Sequence, residues 1–99
     1  MDAINCSGFL YSDHAVKAMI SRFIRSSEVE EVVKYGTIIK IYTNDKPYMS
    51  NLMLKFVNNR RWHVVIAQNP ETMECIIITC YQPDIDKWDP DFKEKMIPL

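Results

Sequence analysis

Glycine is scarce in these 99 residues: there are 2, beside 5 prolines and 3 cysteines. So few flexible or helix-breaking positions exclude collagen-like and linker-rich chains, and the sequence shows neither a repeat nor a low-complexity stretch. Its apolar runs are only strand-length, so no membrane partner is expected. The opening Met1-Asp2-Ala3-Ile4-Asn5 carries an acid and lacks the basic start and apolar core of a signal peptide. A cytoplasmic location is the expectation that follows. The cysteine number is odd, and Cys75 and Cys80, five apart on one expected strand, should point to opposite faces. No intramolecular disulfide is therefore expected. No Cys or His pair has metal-ligand spacing, and Asp84 with Asp86 supplies too few oxygens to fill a cation's shell. Neither a metal nor another cofactor is expected.

What is present is an ordinary globular composition, 47% hydrophobic and 25% charged. That is one domain over 1–99, with a core at about 9–88 and a short acidic tail at 89–99, burying roughly 60 to 65% of its unfolded surface. Net charge is −1, but residues 1–61 carry nine Lys/Arg against six Asp/Glu, or +3, and residues 62–99 carry three against seven, or −4. Arg22, Arg25, Lys40, Lys46, Lys55, Arg60 and Arg61 can form a local positive patch, a solvated basic face being the rival reading.

The chain is organised around Trp62 to Pro83, two β-branched and aromatic runs joined by Asn69-Pro70-Glu71-Thr72. Near-continuous apolar character marks them as inner strands of one hairpin. His63, Thr79 and Tyr81 are the chemically capable side chains within it. A tight four-residue turn would set Trp62 opposite Thr79, and one extra residue would set His63 there, so the face of His63 stays open.

Upstream, Phe9-Leu10-Tyr11 reads as an extended lead-in, and Ser12 or Asp13 caps a helix beginning near His14. Val16, Met19, Ile20, Phe23 and Ile24 recur at helical spacing as one apolar stripe, of which Val16, Met19, Ile20 and Phe23 are expected to face the sheet. His14, Ala18 and Arg22 follow one strip of that helix, with Ser21 and Arg25 beside it. A small residue between a histidine and an arginine leaves room for a ligand, although a solvated face fits as well. Ser27-x-x-Glu30 predicts a capping box opening a second helix over Glu28 to Tyr35, with Val29, Val32 and Val33 inward and Gly36 as its stop. Strands are predicted at Thr37 to Thr43 and at about Asn51 to Val57, the latter joined to the central hairpin by Asn58-Asn59-Arg60. The fold class is then α+β: two N-terminal helices packed on one face of a four-stranded, mainly antiparallel sheet. Asp84 to Trp88 is expected to fold back over the sheet edge with Trp88 as anchor, and Asp91 to Met96 to make a last helical turn.

His14-x7-Arg22, the Gly36 break before a strand ending in Tyr42, Trp62-His63-Val64-Val65 and Thr79-x-Tyr81-x-Pro83-x4-Trp88 resemble the bacterial domain of unknown function family 4258, from about Phe9 to Trp88. That family is similar in fold to the RelE-like ribonuclease toxins, within the group joining barnase, EndoU, colicin nucleases and RelE. The resemblance implies a toxin of a type II toxin–antitoxin system, acting on messenger RNA alone or on the ribosome and inhibited by a partner such as a zinc-finger antitoxin. It raises His14, Arg22, His63, Thr79 and Tyr81 as site residues. Metal-independent RNA cleavage needs a base for the 2′-hydroxyl, an acid for the leaving 5′-oxygen and cationic donors on the phosphate. His14 fits acid or base, Arg22 a phosphate clamp, and Tyr81 a donor or stacking platform. The competing expectation is a non-catalytic RNA- or protein-binding domain of the same fold, favoured by two histidines, an acidic pI of 6.1 and no dense cationic cluster.

Overall fold

A computed structural model describes residues 4–83 of the chain. Its elements are β1 (Gly8–Tyr11), α1 (Asp13–Arg22), α2 (Ser26–Tyr35), β2 (Thr37–Tyr42), β3 (Ser50–Val57), β4 (Arg60–Gln68) and β5 (Glu74–Tyr81). The expectations for Trp88, for Asp84 and Asp86, and for a turn at 91–96 fall outside the described residues. No helix among the described residues is long and apolar enough to cross a membrane.

The fold is α+β, with five strands in the order β1-β5-β4-β3-β2. From β2 to β5 it is the expected antiparallel meander. The lead-in at Phe9 to Tyr11 is a fifth strand, paired parallel with β5 from Gly8↔Glu74 to Tyr11↔Ile77. The sheet is therefore mixed. A four-residue strand whose partner lies more than sixty residues away leaves no local signal, because parallel neighbours need a long crossover. Both central-hairpin strands are inner strands, as their composition predicts.

The helices cover one face. Val29, Val32 and Val33 of α2, at helical spacing, meet Met53, Trp62, Val64 and Ile66 in one buried cluster, with Ala15 and Ala18 of α1 at its end. α2 starts at Ser26, two residues before the predicted boundary, and the Arg25 N–H donates to Glu28 Oε1 at 2.9 Å. The Ser27/Glu30 box is thus replaced by half of one, set two residues earlier, since the Arg25 side chain has no acceptor to return the bond. Gly36 ends α2 for a steric reason: a Cβ there would stand 2.3 Å from the Val32 carbonyl oxygen and 2.8 Å from that of Leu54.

Three expectations are corrected. First, α1 turns Ala15 and Ala18 to the sheet, and of the expected stripe only Met19 packs on that core, whereas Ile20 is 70% and Phe23 84% exposed and Val16 is also exposed. Alanines let the α1 backbone sit close on β5, and the helix ends at Arg22 with Phe23 in the left-handed region at φ 55. Second, Cys75 and Cys80 share a face. Val65 pairs Thr79 but Ile66 pairs Ile77, so Ile78 is an extra residue on β5 that reverses the alternation. Cys75, Ile77 and Cys80 then all join the helix-side core. Third, Cys6 and Cys75 form a disulfide, with Cα atoms 5.5 Å apart, while Cys80 is free and buried. The segment before β1 runs beside the β4–β5 turn, where Ser7 N donates to Met73 O at 2.9 Å and Gln68 Nε2 to Asn5 O at 2.6 Å. That path carries Cys6 to the start of β5.

Candidate functional site

The site residues fall into two groups set by α1 and by the β4–β5 hairpin. Ser12 caps α1 by accepting from Ala15 N at 3.0 Å. It also anchors the helix to the bulge, Ser12 N donating to Ile77 O at 3.1 Å and Ser12 Oγ to Ile78 O at 2.9 Å. Because β1 pairing stops at Ile77, the last residues of β5 have no strand partner on that side among the described residues. α1 packs on β5 there. His14 is exposed on its first turn and Arg22 exposed on its last. Between them Ala18 is buried against the sheet, so this strip is the packing side and its two charged residues flank it.

Arg22 is not locked in place. Its Nη1 donates to Ser21 Oγ at 3.2 Å, and it forms no ion pair among the described residues. Burial raises the Cys80 thiol above its ordinary range, and the nearby Arg22 charge acts in the opposite direction. Arg22 thus lies within electrostatic range of Cys80, near the end of β5. The C-terminal carbonyls of α1 are held from the other side: Arg60 donates to Arg22 O at 3.1 Å and to Phe23 O at 2.9 Å. Arg60 also stands 4.7 Å from the Trp62 ring and 3.7 Å from the Glu28 carboxylate.

The second group lies on the sheet face away from the helices. His63 pairs Tyr81 and Val65 pairs Thr79, so the bulge puts His63, Thr79 and Tyr81 on one face and resolves the parity left open by the sequence. His63 Nδ1 is 3.3 Å from Tyr81 Oη, and the rings meet edge-on with centroids 5.3 Å apart. His63 is fully buried. Tyr81 and Tyr42 both pack on Leu52, with Leu54 and Val65 beside them. Burial, and then Tyr42, push the Tyr81 phenol up to about 12. At neutral pH it is a hydrogen-bond donor and not a base.

The structure thus joins His63 to Tyr81 and sets Arg22 near the residue preceding Tyr81. His14 and Arg22 belong to the helix that covers one face of β5, whereas Tyr81 and Thr79 project from the other. Sequence reading gave Arg60 only as part of a patch and Tyr42 only as a strand end. The Arg60-x-Trp62 spacing, which places both on one strand face, was the available signal for the first. Among the described residues no group of three His, Cys, Asp or Glu side chains is arranged to hold a metal ion.

Comparison with known proteins returns no curated protein and no solved structure that matches the chain. Among protein families, DUF4258, a domain of unknown function, matches residues 11–82, from the end of β1 to just past β5. That span holds both helices, the whole meander and all five candidate residues, and the chain belongs to the DUF4258 family.

Proposed function

We propose that the domain is a RelE-like endoribonuclease of the toxin–antitoxin kind, cleaving RNA by side-chain acid–base chemistry and held in check by a partner protein. The observation that carries this reading is Arg22. Its guanidinium is exposed, unpaired among the described residues, and beside the end of β5 where Tyr81 leaves the sheet. A free bidentate donor at the margin of a two-layer fold suits a phosphate whose charge grows in the transition state. His14, on the same helix, is exposed and carries an imidazole, the side chain most often used for acid–base catalysis. Tyr81, a hydrogen-bond donor oriented by buried His63 with Thr79 on the same face, enters this reading from the other side of β5, at the strand end that Arg22 borders.

One observation favours a second reading, a non-catalytic RNA- or protein-binding domain. His63 is wholly buried against Tyr81, and this pair projects from the opposite side of β5 to α1. The two readings part on one experiment, induced expression of wild type, His14→Ala and Arg22→Ala in a bacterium with RNA cleavage followed in parallel. Growth arrest with RNA cleavage, lost in both variants while their melting is unchanged, supports the nuclease. Absence of cleavage by well-folded wild type leaves the binding domain.

A further inference from the structure

The turn between α1 and α2 presents an aromatic ring to solvent in an unusual way. Phe23 is 84% exposed and sits at φ 55, a backbone region that glycine adopts freely and a bulky side chain rarely does. The conformation is the left-handed cap of α1, with Phe23 N donating to Ile20 O at 3.4 Å and Ile24 N to Met19 O at 3.1 Å, and Arg60 braces it from outside by donating to the carbonyl oxygens of both Arg22 and Phe23. Arg60 is itself fixed by the Trp62 ring and by Glu28. Arg22 and Arg25 bracket Phe23 in the sequence of the turn, both exposed and neither in an ion pair among the described residues. The Glu28 carboxylate, in the first turn of α2, is engaged by the Arg25 N–H, the Asn58 amide at 2.6 Å and Arg60. Ile20, one turn back, is 70% exposed and extends the apolar surface.

We propose that Phe23, flanked by Arg22 and Arg25, is a stacking platform for an unpaired nucleobase, through which the domain takes single-stranded RNA. The inference rests on the RNA-directed reading above and names its substrate class. An exposed ring in a turn that also carries two exposed arginines suits the alternation of base and phosphate along a single strand, and only an unpaired base offers its π-face. Two exposed arginines in the same turn favour this polyanion over an apolar protein surface, which would have to bury them. Stacking does not discriminate among bases, so the platform contributes affinity and not sequence preference.

The test is fluorescence anisotropy with a short labelled 2′-O-methyl oligouridine, which resists cleavage at the 2′-hydroxyl, at about 50 mM salt where phosphate contacts are strong. Phe23→Ala should weaken binding roughly tenfold, and Phe23→Trp should retain it. Phe23→Gly separates binding from folding: it should bind as poorly as Phe23→Ala yet melt no lower than wild type, because glycine relieves the left-handed strain. Arg25→Ala should reduce the slope of log affinity against log salt by about 0.7, one phosphate contact on a single strand. If wild type binds and Phe23→Ala binds equally well, the platform is wrong while the RNA reading stands. Wild type that binds no RNA overturns both. If Phe23→Ala changes only the oligomeric state, Phe23 belongs to a protein contact and the proposal falls.

Discussion

The two helices have the same length and opposite characters. α2 buries three valines and the stem of Glu28 beneath a polar outer surface, and it spans β3 and β4 at the centre of the sheet. α1 buries two alanines and leaves Val16, Ile20 and Phe23 outside. An alanine removes little apolar surface from water, so α1 gains less from burial than α2 by several hydrophobic side chains. It is held instead at its ends, by Ser12 on the β5 bulge and by Arg60 on its last carbonyls. A helix whose large side chains face solvent is poorly explained by stability alone. α2 supplies most of what the helices bury in the core, and α1 little of it.

The largest change should come from a link outside both helices. The Cys6–Cys75 disulfide spans 69 residues. On the chain-entropy account, closing a loop of this size stabilises by about 4 kcal/mol, so reduction should lower the melting temperature by many degrees. Melting of the oxidised and reduced protein, with a mass gain on reduction of the fresh monomer, checks both the bond and its weight. An unchanged mass would mean the pair is not bonded in solution. Next in size is the contrast between the helices. Val32→Ala on α2 should cost about 2 kcal/mol, through lost burial and the cavity left beside Val33 and Trp62. Ile20→Ala on α1 should stay within about 0.5 kcal/mol, as at a surface position. Equal losses in urea unfolding would erase the distinction drawn between them.

That distinction was hidden in the sequence for a physical reason. Helical spacing shows that Val16, Met19, Ile20 and Phe23 share a side, but not that the other side, with its alanines, fits closer to a strand. α2 was legible because its large apolar residues and its buried side coincide. The hairpin was equally clear from its β-branched runs, yet its register was not. One extra residue, Ile78, sets the faces of Cys75, Cys80, His63 and Tyr81 at once, and nothing in Cys-Ile-Ile-Ile-Thr-Cys-Tyr marks which isoleucine is spare. β1 and the disulfide share a similar obscurity, since each depends on a partner at the far end of the chain. All five candidate site residues were legible as residue types. Their division between the two sides of β5 was not, because it follows from that bulge and from how α1 lands on the strand.

Arg60 offers a way to loosen α1 without touching α2's valines. Arg60→Ala removes two donors from the α1 terminus and a cation from Glu28, and should cost about 1 to 2 kcal/mol. Hydrogen exchange locates the damage: amides of the last turn of α1 should lose protection well before those of α2 around Val32. Uniform loss in both helices would show them to be one cooperative unit.

The smallest effect concerns the joint between the helices, and it is read by pH. Glu28 accepts from the Arg25 N–H, which opens α2, and faces Arg60, which closes α1. The Arg25 N–H lowers its carboxyl below the ordinary 4.5, burial opposes this, and the Asn58 amide, Arg60 and Arg25 add to the lowering. A carboxyl held lower in the folded state than in the unfolded state stabilises the fold fully above the unfolded value, and that contribution is lost as the pH falls through the lower folded value. Stability should therefore be flat in this respect above about pH 4.5 and decline in acid, by less than Arg60→Ala costs, because a protonated carboxyl still accepts hydrogen bonds. Glu28→Gln keeps the shape and cannot titrate. Subtracting its acid limb from that of wild type, by urea unfolding at several pH values, isolates this single group. A difference that persists unchanged into strong acid would place the role of Glu28 in packing, and one that vanishes there would place it in the charge joining the two helix ends.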